Sequence, residues 1–129
     1  MDLCEKYNIY IVNMYVNFAD ESKKDSSISG EDVFKYYDEN KKLPSTSGAS
    51  SNDFSEVFNK INLEQPGKEI VYIAYSSVTT VSYNAAKIAA EDFDNIHFID
   101  SKNVSIGLGF VVLNTAKFIE NNPEATIED

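Results

Sequence analysis

Glu69-Ile70-Val71-Tyr72-Ile73-Ala74-Tyr75, followed at once by Ser76-Ser77-Val78-Thr79-Thr80-Val81-Ser82, decides how the rest of the chain is read. The first seven residues are almost continuously apolar and rich in β-branched and aromatic side chains, the pattern of a strand covered on both faces. The next seven hold five hydroxyls and lead into a helix from about Ser82 to Asp92. Strand, polar turn and helix in that order form the repeating unit of a parallel α/β sheet. In such sheets ligands lie beyond the carboxyl ends of the strands, near helix N-termini.

The flanking sequence repeats the alternation. Downstream, Ile96–Ile99 reads as a short buried strand, and Asp100-Ser101-Lys102 turns the chain into a last helix over about Val104 to Asn121, stopped by Pro123. Upstream, Ser50 with Asp53 three residues on caps a helix over Asn52 to Ile61, with Phe54, Val57, Phe58 and Ile61 facing inward. Ser29-Gly30-Glu31-Asp32 has the form of a capping box and opens another over Glu31 to Asn40, with Val33, Phe34 and Tyr37 on one face. Leu43-Pro44 closes that helix, because the residue before proline is pushed out of the helical region. Ile9 to Phe18 reads as one strand or two short ones, and residues 19–30 as a polar loop.

A second hydroxyl segment, Ser45-Thr46-Ser47-Gly48-Ala49-Ser50-Ser51, also precedes a helix. Hydroxyls and free amides at helix starts make a neutral cradle for a carboxylate or phosphate. The same residues also serve as ordinary caps and turns, so each cluster either bonds locally to backbone or faces a ligand. Neither cluster contains a histidine, cysteine or carboxylate to activate a hydroxyl, which argues against an enzyme. No GxGxxG or GxxxxGK[ST] loop is present. Gly107 and Gly109 fall in the last helical segment, where close packing against a strand or a ligand chain is their expected use. His97, the one histidine, sits between Ile96 and Phe98 and reads as structural. Asp100 reads as the partner of Lys102 or a cap of the last helix, and no metal cluster or cofactor is expected.

Composition narrows the function further. The chain has 129 residues, 43% of them hydrophobic, with eight Phe and eight Tyr, enough for one packed domain. The formal charge is −10 and lysine supplies every positive charge, which argues against nucleic acid and against anionic membrane surfaces as partners. The longest apolar run, Ile106 to Leu113, falls far short of the roughly 20 residues of a membrane span. One cysteine, Cys4, and an N-terminus without a basic, apolar leader point to a cytoplasmic protein.

Three segments, taken in order, resemble the DegV family of bacterial fatty-acid-binding proteins. Asp100-Ser101-Lys102-Asn103-Val104-Ser105-Ile106-Gly107-Leu108-Gly109 is similar to the family's Asp-Ser-Lys box and its Val-Ser-x-Gly-x-Gly helix. Pro44-Ser45-Thr46-Ser47 resembles its Pro-Thr-Ser-Gln loop, with Gly48 where glutamine is usual. Thr79-Thr80-Val81-Ser82-Tyr83-Asn84 resembles its Ser-Gly-Thr-Tyr helix start, with Thr80 for serine and Val81 for glycine. Tyr15 to Asp25 followed by Ile28 to Phe34 resembles a further strand, Asp-Glu, Ile-x-x-Glu-x-Phe stretch.

The resemblance implies a three-layer α/β sandwich with a mainly parallel sheet, formed by residues 1–129 as one domain of a two-domain family. It implies a lipid carrier that holds one long-chain fatty acid, with Thr46, Ser47, Thr80 and the amide of Val81 at the carboxylate. Ile106 and Phe110 would line part of the tail path. Some members present the acid to a separate fatty acid kinase, which makes such a kinase an expected partner. The family's opening strand, ahead of Asp2-Leu3, and its second domain are not found in the 129 residues, which suggests a fragment or a half needing a partner. The alternative is a domain that keeps the fold, has lost the ligand, and self-associates as a homodimer or binds another protein.

Overall fold

The computed structural model describes residues Asp2–Asp129. A short helix α1 (Leu3–Lys6) leads through an extended segment to β1 (Tyr15–Asn17), β2 (Ser22–Lys24), a 3-10 turn (Asp25–Ser27) and α2 (Gly30–Asn40). Then come β3 (Ser45–Ser47), α3 (Ser51–Glu64), β4 (Ile70–Ala74), α4 (Ser82–Ala90), β5 (Ile96–Asp100) and α5 (Ser105–Asn121). The fold is α/β. The parallel crossover read from residues 69–100 is present, with β4 and β5 paired in register from Ile70 opposite Ile96 to Ala74 opposite Asp100.

The first half departs from that reading. β1 is flanked by β2 and β3 in a separate three-stranded antiparallel sheet, with Val16 opposite both Lys23 and Thr46. Residues 22–24 and 45–47, read as loop, are therefore strands, and only Tyr15–Asn17 of the 9–18 stretch joins a ladder. Polarity concealed them. Their side chains are exposed on both faces, so no apolar alternation marks them.

The core forms where α3 and α4 lie on β4 and β5. Phe54 and Phe58, spaced one helical turn apart on α3, are 1% and 2% exposed, and Ala49, Ile70, Ala86 and Ala89 complete the buried cluster. A chain of rings runs from Phe93 through Phe58, Phe54, Tyr72 and Phe98 to Tyr83, with neighbouring centroids 5.2–6.0 Å apart and every pair edge-to-face except the tilted Phe54–Phe58. Burial among these rings pushes the Tyr72 phenol up to about 12.

The capping box read at Ser29 is present, and the Ser50 cap is a capping box as well. Ser29 and Ser50 each accept the amide of the third helical residue, while Asp32 and Asp53 reach back to the amides of Ser29 and Ser50 at 2.8 Å. On α2 the inward residues are Val33 and Tyr36, not Phe34 and Tyr37, because Tyr36 packs edge-on against Phe18 at 5.0 Å and leaves Phe34 exposed.

Phe58→Ala should lower stability by about 3–5 kcal/mol, measured by urea unfolding, because the buried ring leaves a cavity between α3 and Phe93. The hydroxyls of Ser50 and then Tyr15 hold the Asp53 carboxyl below its ordinary value, and the Ser29 hydroxyl does the same for Asp32. A carboxyl lowered by folding stabilises above its unfolded value of about 3.9, and that contribution fades as pH falls below it. Melting temperature should therefore drop on acidification below about pH 4, and Ser50→Ala should flatten that drop.

Candidate functional site

The two hydroxyl segments, about thirty residues apart in sequence, meet at one place. β3 ends at Ser47 and β4 at Ala74, and the helices that follow, α3 and α4, start side by side. The bond that joins them is the Ala49 N–H donating to Ser82 Oγ at 3.1 Å, with both residues buried. Gly48 permits it. A Cβ on Gly48 would lie 2.6 Å from Ser82 Oγ and 3.1 Å from Val81 Cγ2, so the space beside residue 48 is already filled by α4. Glycine at 48 and valine at 81, both departures from the family motif, are thus two sides of one contact.

Most of the hydroxyls bond within the protein. Thr80 Oγ1 donates to Ser82 Oγ and accepts the Ser82 amide, each at 3.1 Å. Thr79 Oγ1 donates to the Ser76 carbonyl at 2.8 Å, and Ser47 Oγ accepts from Asn17 Nδ2 at 3.2 Å. Ser50 is spent on its capping box. Thr46 is exposed. Side chains alternate along a strand, so Thr46 and Ser47 point to opposite faces of β3. Thr46 shares its face with Val16 and Lys23; Ser47 shares its face with Asn17 and Tyr15.

Asp100 has neither role expected of it. Its carboxylate accepts from Ser77 Oγ at 2.5 Å, from the Ser77 amide at 3.3 Å and from the Lys102 amide at 3.0 Å. The Lys102 ammonium takes no part in a salt bridge with it, and α5 is preceded by Val104, which caps nothing. The Ser77 hydroxyl and then the Lys102 amide hold this carboxyl below its usual range. The aspartate therefore clips the end of β5 to the turn after β4. Ser76 N–H donates to the Asn103 carbonyl at 3.1 Å, which brings the start of α5 to the same turn.

Around these helix starts lie apolar side chains with little cover. Val81 is 71% exposed, Ile106 86% and Phe110 70%. A Cβ on Gly107 would lie 2.6 Å from Asn103 Oδ1 at the start of the same helix, whereas a Cβ on Gly109 would point into open space. His97 Nε2 lies 2.6 Å from Glu69 Oε2 at the other end of the parallel pair. Ser82 is the residue that sequence reasoning missed. It was visible only as the last hydroxyl of its cluster, and nothing in sequence marked it as the one that would be buried.

A groove of about 340 Å³, lined by Cys4, Asn8, Ile9, Tyr10, Val57 and Lys60, lies toward the far end of α3 from these hydroxyls. Among the described residues, no helix is long and apolar enough to cross a membrane.

A family model described as the DegV family of uncharacterised proteins matches residues 1–128. A DegV domain-containing protein of Clostridium perfringens is 33% identical over 99% of this chain and 46% of its own length. The chain thus spans about half the length of the curated relatives it matches. Among solved structures, a fatty-acid-binding DegV family protein from Thermus thermophilus superposes with a TM-score of 0.87 at 25% identity, covering 98% of this chain and 45% of that one. A DegV lipid-binding protein from Thermotoga maritima gives 0.80 at 27%, covering 97% and 45%.

Ser82→Ala leaves the buried Ala49 amide without its acceptor and should cost about 1–3 kcal/mol in urea unfolding. Gly48→Ala should destabilise as well, and Val81→Gly should return little of that loss, since the nearer collision is with Ser82.

Proposed function

The chain belongs to the DegV family, and on that premise we propose that it binds one long-chain fatty acid. The observation that carries this reading is the meeting of two hydroxyl-bearing helix starts through Ala49 and Ser82, beside exposed Val81, Ile106 and Phe110. Solved relatives described as fatty-acid-binding share the fold at TM-scores of 0.79 and 0.87.

In this reading residues 1–129 act as one α/β domain. The carboxylate is held by neutral donors: the hydroxyls of Thr46 and Thr80 and the Val81 amide at the positive end of the α4 dipole, with Ser47 next to Thr46 in sequence but on the other face of β3. The tail runs over Ile106 and Phe110. Each buried methylene contributes about 0.8 kcal/mol, so the chain supplies most of the affinity and the hydroxyls fix its direction. No step of covalent chemistry is assigned. The protein acts as a cytoplasmic carrier, and a fatty acid kinase that receives the presented carboxylate is the proposed partner.

A second reading draws support from the internal bonding of Ser47, Thr80 and Ser82. Hydroxyls satisfied within the protein suit a domain that keeps the fold, binds no lipid and self-associates. Native mass spectrometry of protein purified from cells separates the two. A co-purified C14–C18 acid supports the carrier. A clean dimer whose mass does not shift with added palmitate or oleate supports the other.

Thr46→Val and Thr80→Val should each weaken fatty-acid affinity about 5- to 30-fold, the equivalent of about 1–2 kcal/mol for one lost hydrogen bond, by calorimetric titration. Unchanged affinity in both variants removes the head-group assignment.

A further inference from the structure

Beyond the carboxyl ends of a parallel strand pair, free amides and hydroxyls are where an α/β fold receives the anion of a ligand. Here three such donors are already taken. The Ser77 hydroxyl, the Ser77 amide and the Lys102 amide all donate to the Asp100 carboxylate, at 2.5, 3.3 and 3.0 Å. Asp100 is the last residue of β5, opposite Ala74 at the end of β4. The chain thus places one of its own anions against the turn that leads into α4. The Ser77 hydroxyl first, then the Lys102 amide, keep that carboxyl below its usual range, so it is ionised at neutral pH.

The neighbouring helix start is filled in the same way. Asp53 accepts the Ser50 amide at 2.8 Å and the Tyr15 hydroxyl at 2.6 Å, closing the first turn of α3. α4 is different: Val81 precedes it with no side-chain cap, and its first turn holds no acid. Of the two helix starts that meet through Ala49 and Ser82, α4 is the one left for an anion from outside. That anion arrives near two fixed carboxylates, and little positive charge offsets them. Residues 45–51 and 76–82 contain no charged side chain. Among the described residues, no ion pair joins Lys102 to Asp100. One negative charge is met by neutral donors and by a helix dipole equivalent to about half a charge. A second has nothing to meet it and like charges to face.

We propose that Asp100 is a specificity-determining residue: its carboxylate confines the head-group site at the start of α4 to monoanions and turns away dianions such as phosphate monoesters. This charge rule rests on the fatty-acid reading above and specifies the head which that reading admits. Discrimination of this kind works by repulsion rather than by fit, and leaves the affinity for an accepted ligand to its tail. Asp53 acts in the same sense, but it also closes the capping box of α3, so its removal disturbs helix and charge together. Asp100→Asn removes the charge and keeps the size of the side chain.

The test titrates the 129-residue chain by calorimetry with three ligands of one tail, hexadecanoate, hexadecyl sulfate and hexadecyl phosphate, each below its micellar concentration at about pH 8. Sulfate and phosphate heads share a tetrahedral shape, but the phosphate monoester carries nearly two charges and the sulfate one. The expected result is sulfate bound about tenfold more tightly than phosphate, a gap that Asp100→Asn narrows to about threefold or less. Salt at about 1 M should narrow it in the unmodified chain as well. Ser77→Ala removes the bond and keeps the charge, so it should lower the melting temperature and leave the gap open. Equal affinity for sulfate and phosphate overturns the proposal, as does a gap that Asp100→Asn leaves unchanged. A gap that Ser77→Ala closes as far as Asp100→Asn does assigns the effect to the shape of the turn and overturns the proposal too. In each of these cases hexadecanoate still binds and the fatty-acid reading stands; if hexadecanoate fails to bind the unmodified chain, that reading falls and the charge rule with it.

Discussion

Ser82 is 5% exposed, and its hydroxyl receives both the Ala49 amide and the Thr80 hydroxyl. A buried donor left without an acceptor costs about 1–3 kcal/mol, so the approach of α3 to α4 depends on this oxygen staying where it is. That approach in turn sets the aromatic chain from Phe58 through Tyr72 to Tyr83, because α3 carries one end of it and α4 the other. It also determines what the two hydroxyl segments can do. Brought together by Ser82, they form one hydroxyl-rich corner at the carboxyl end of β4, with the Asp100 carboxylate bonded to its Ser77.

How legible this was depended on whether the signal lay in periodicity or in tertiary placement. The strand at residues 70–74 and the helix carrying Phe54 and Phe58 announce themselves through apolar spacing, and the helix caps at Ser29 and Ser50 were readable too. β2 and β3 were not, since Ser22–Lys24 and Ser45–Ser47 are polar throughout and show solvent on both faces. The site was legible as a list of hydroxyls and illegible as an arrangement. Nothing local distinguishes Thr46, exposed on one face of β3, from Ser47, held by Asn17 on the other. Asp100 was misread because its partner, Ser77, lies on the neighbouring strand's turn, whereas Lys102 is close only in sequence.

The internal bonding of Ser47, Thr79, Thr80 and Ser82 gives the corner a stiffness that a row of solvated hydroxyls would lack. A ligand arriving there meets donors already oriented, at the expense of exchanging some internal bonds for its own. Val81, Ile106 and Phe110, exposed beside it, complete a surface that is polar at the helix starts and apolar along α5. An amphiphile with a small acidic head has the same division.

The contact between Gly48 and α4 also limits how this sequence can drift. Where the family motif has glutamine and glycine, this chain has Gly48 and Val81, and the missing side chain at one position is what makes room at the other. Restoring a side chain at 48 first would drive it into Val81 and Ser82. The nearer obstacle is the buried Ser82 hydroxyl, so position 48 stays without a side chain for as long as α4 is fixed to Ala49, whatever residue occupies 81.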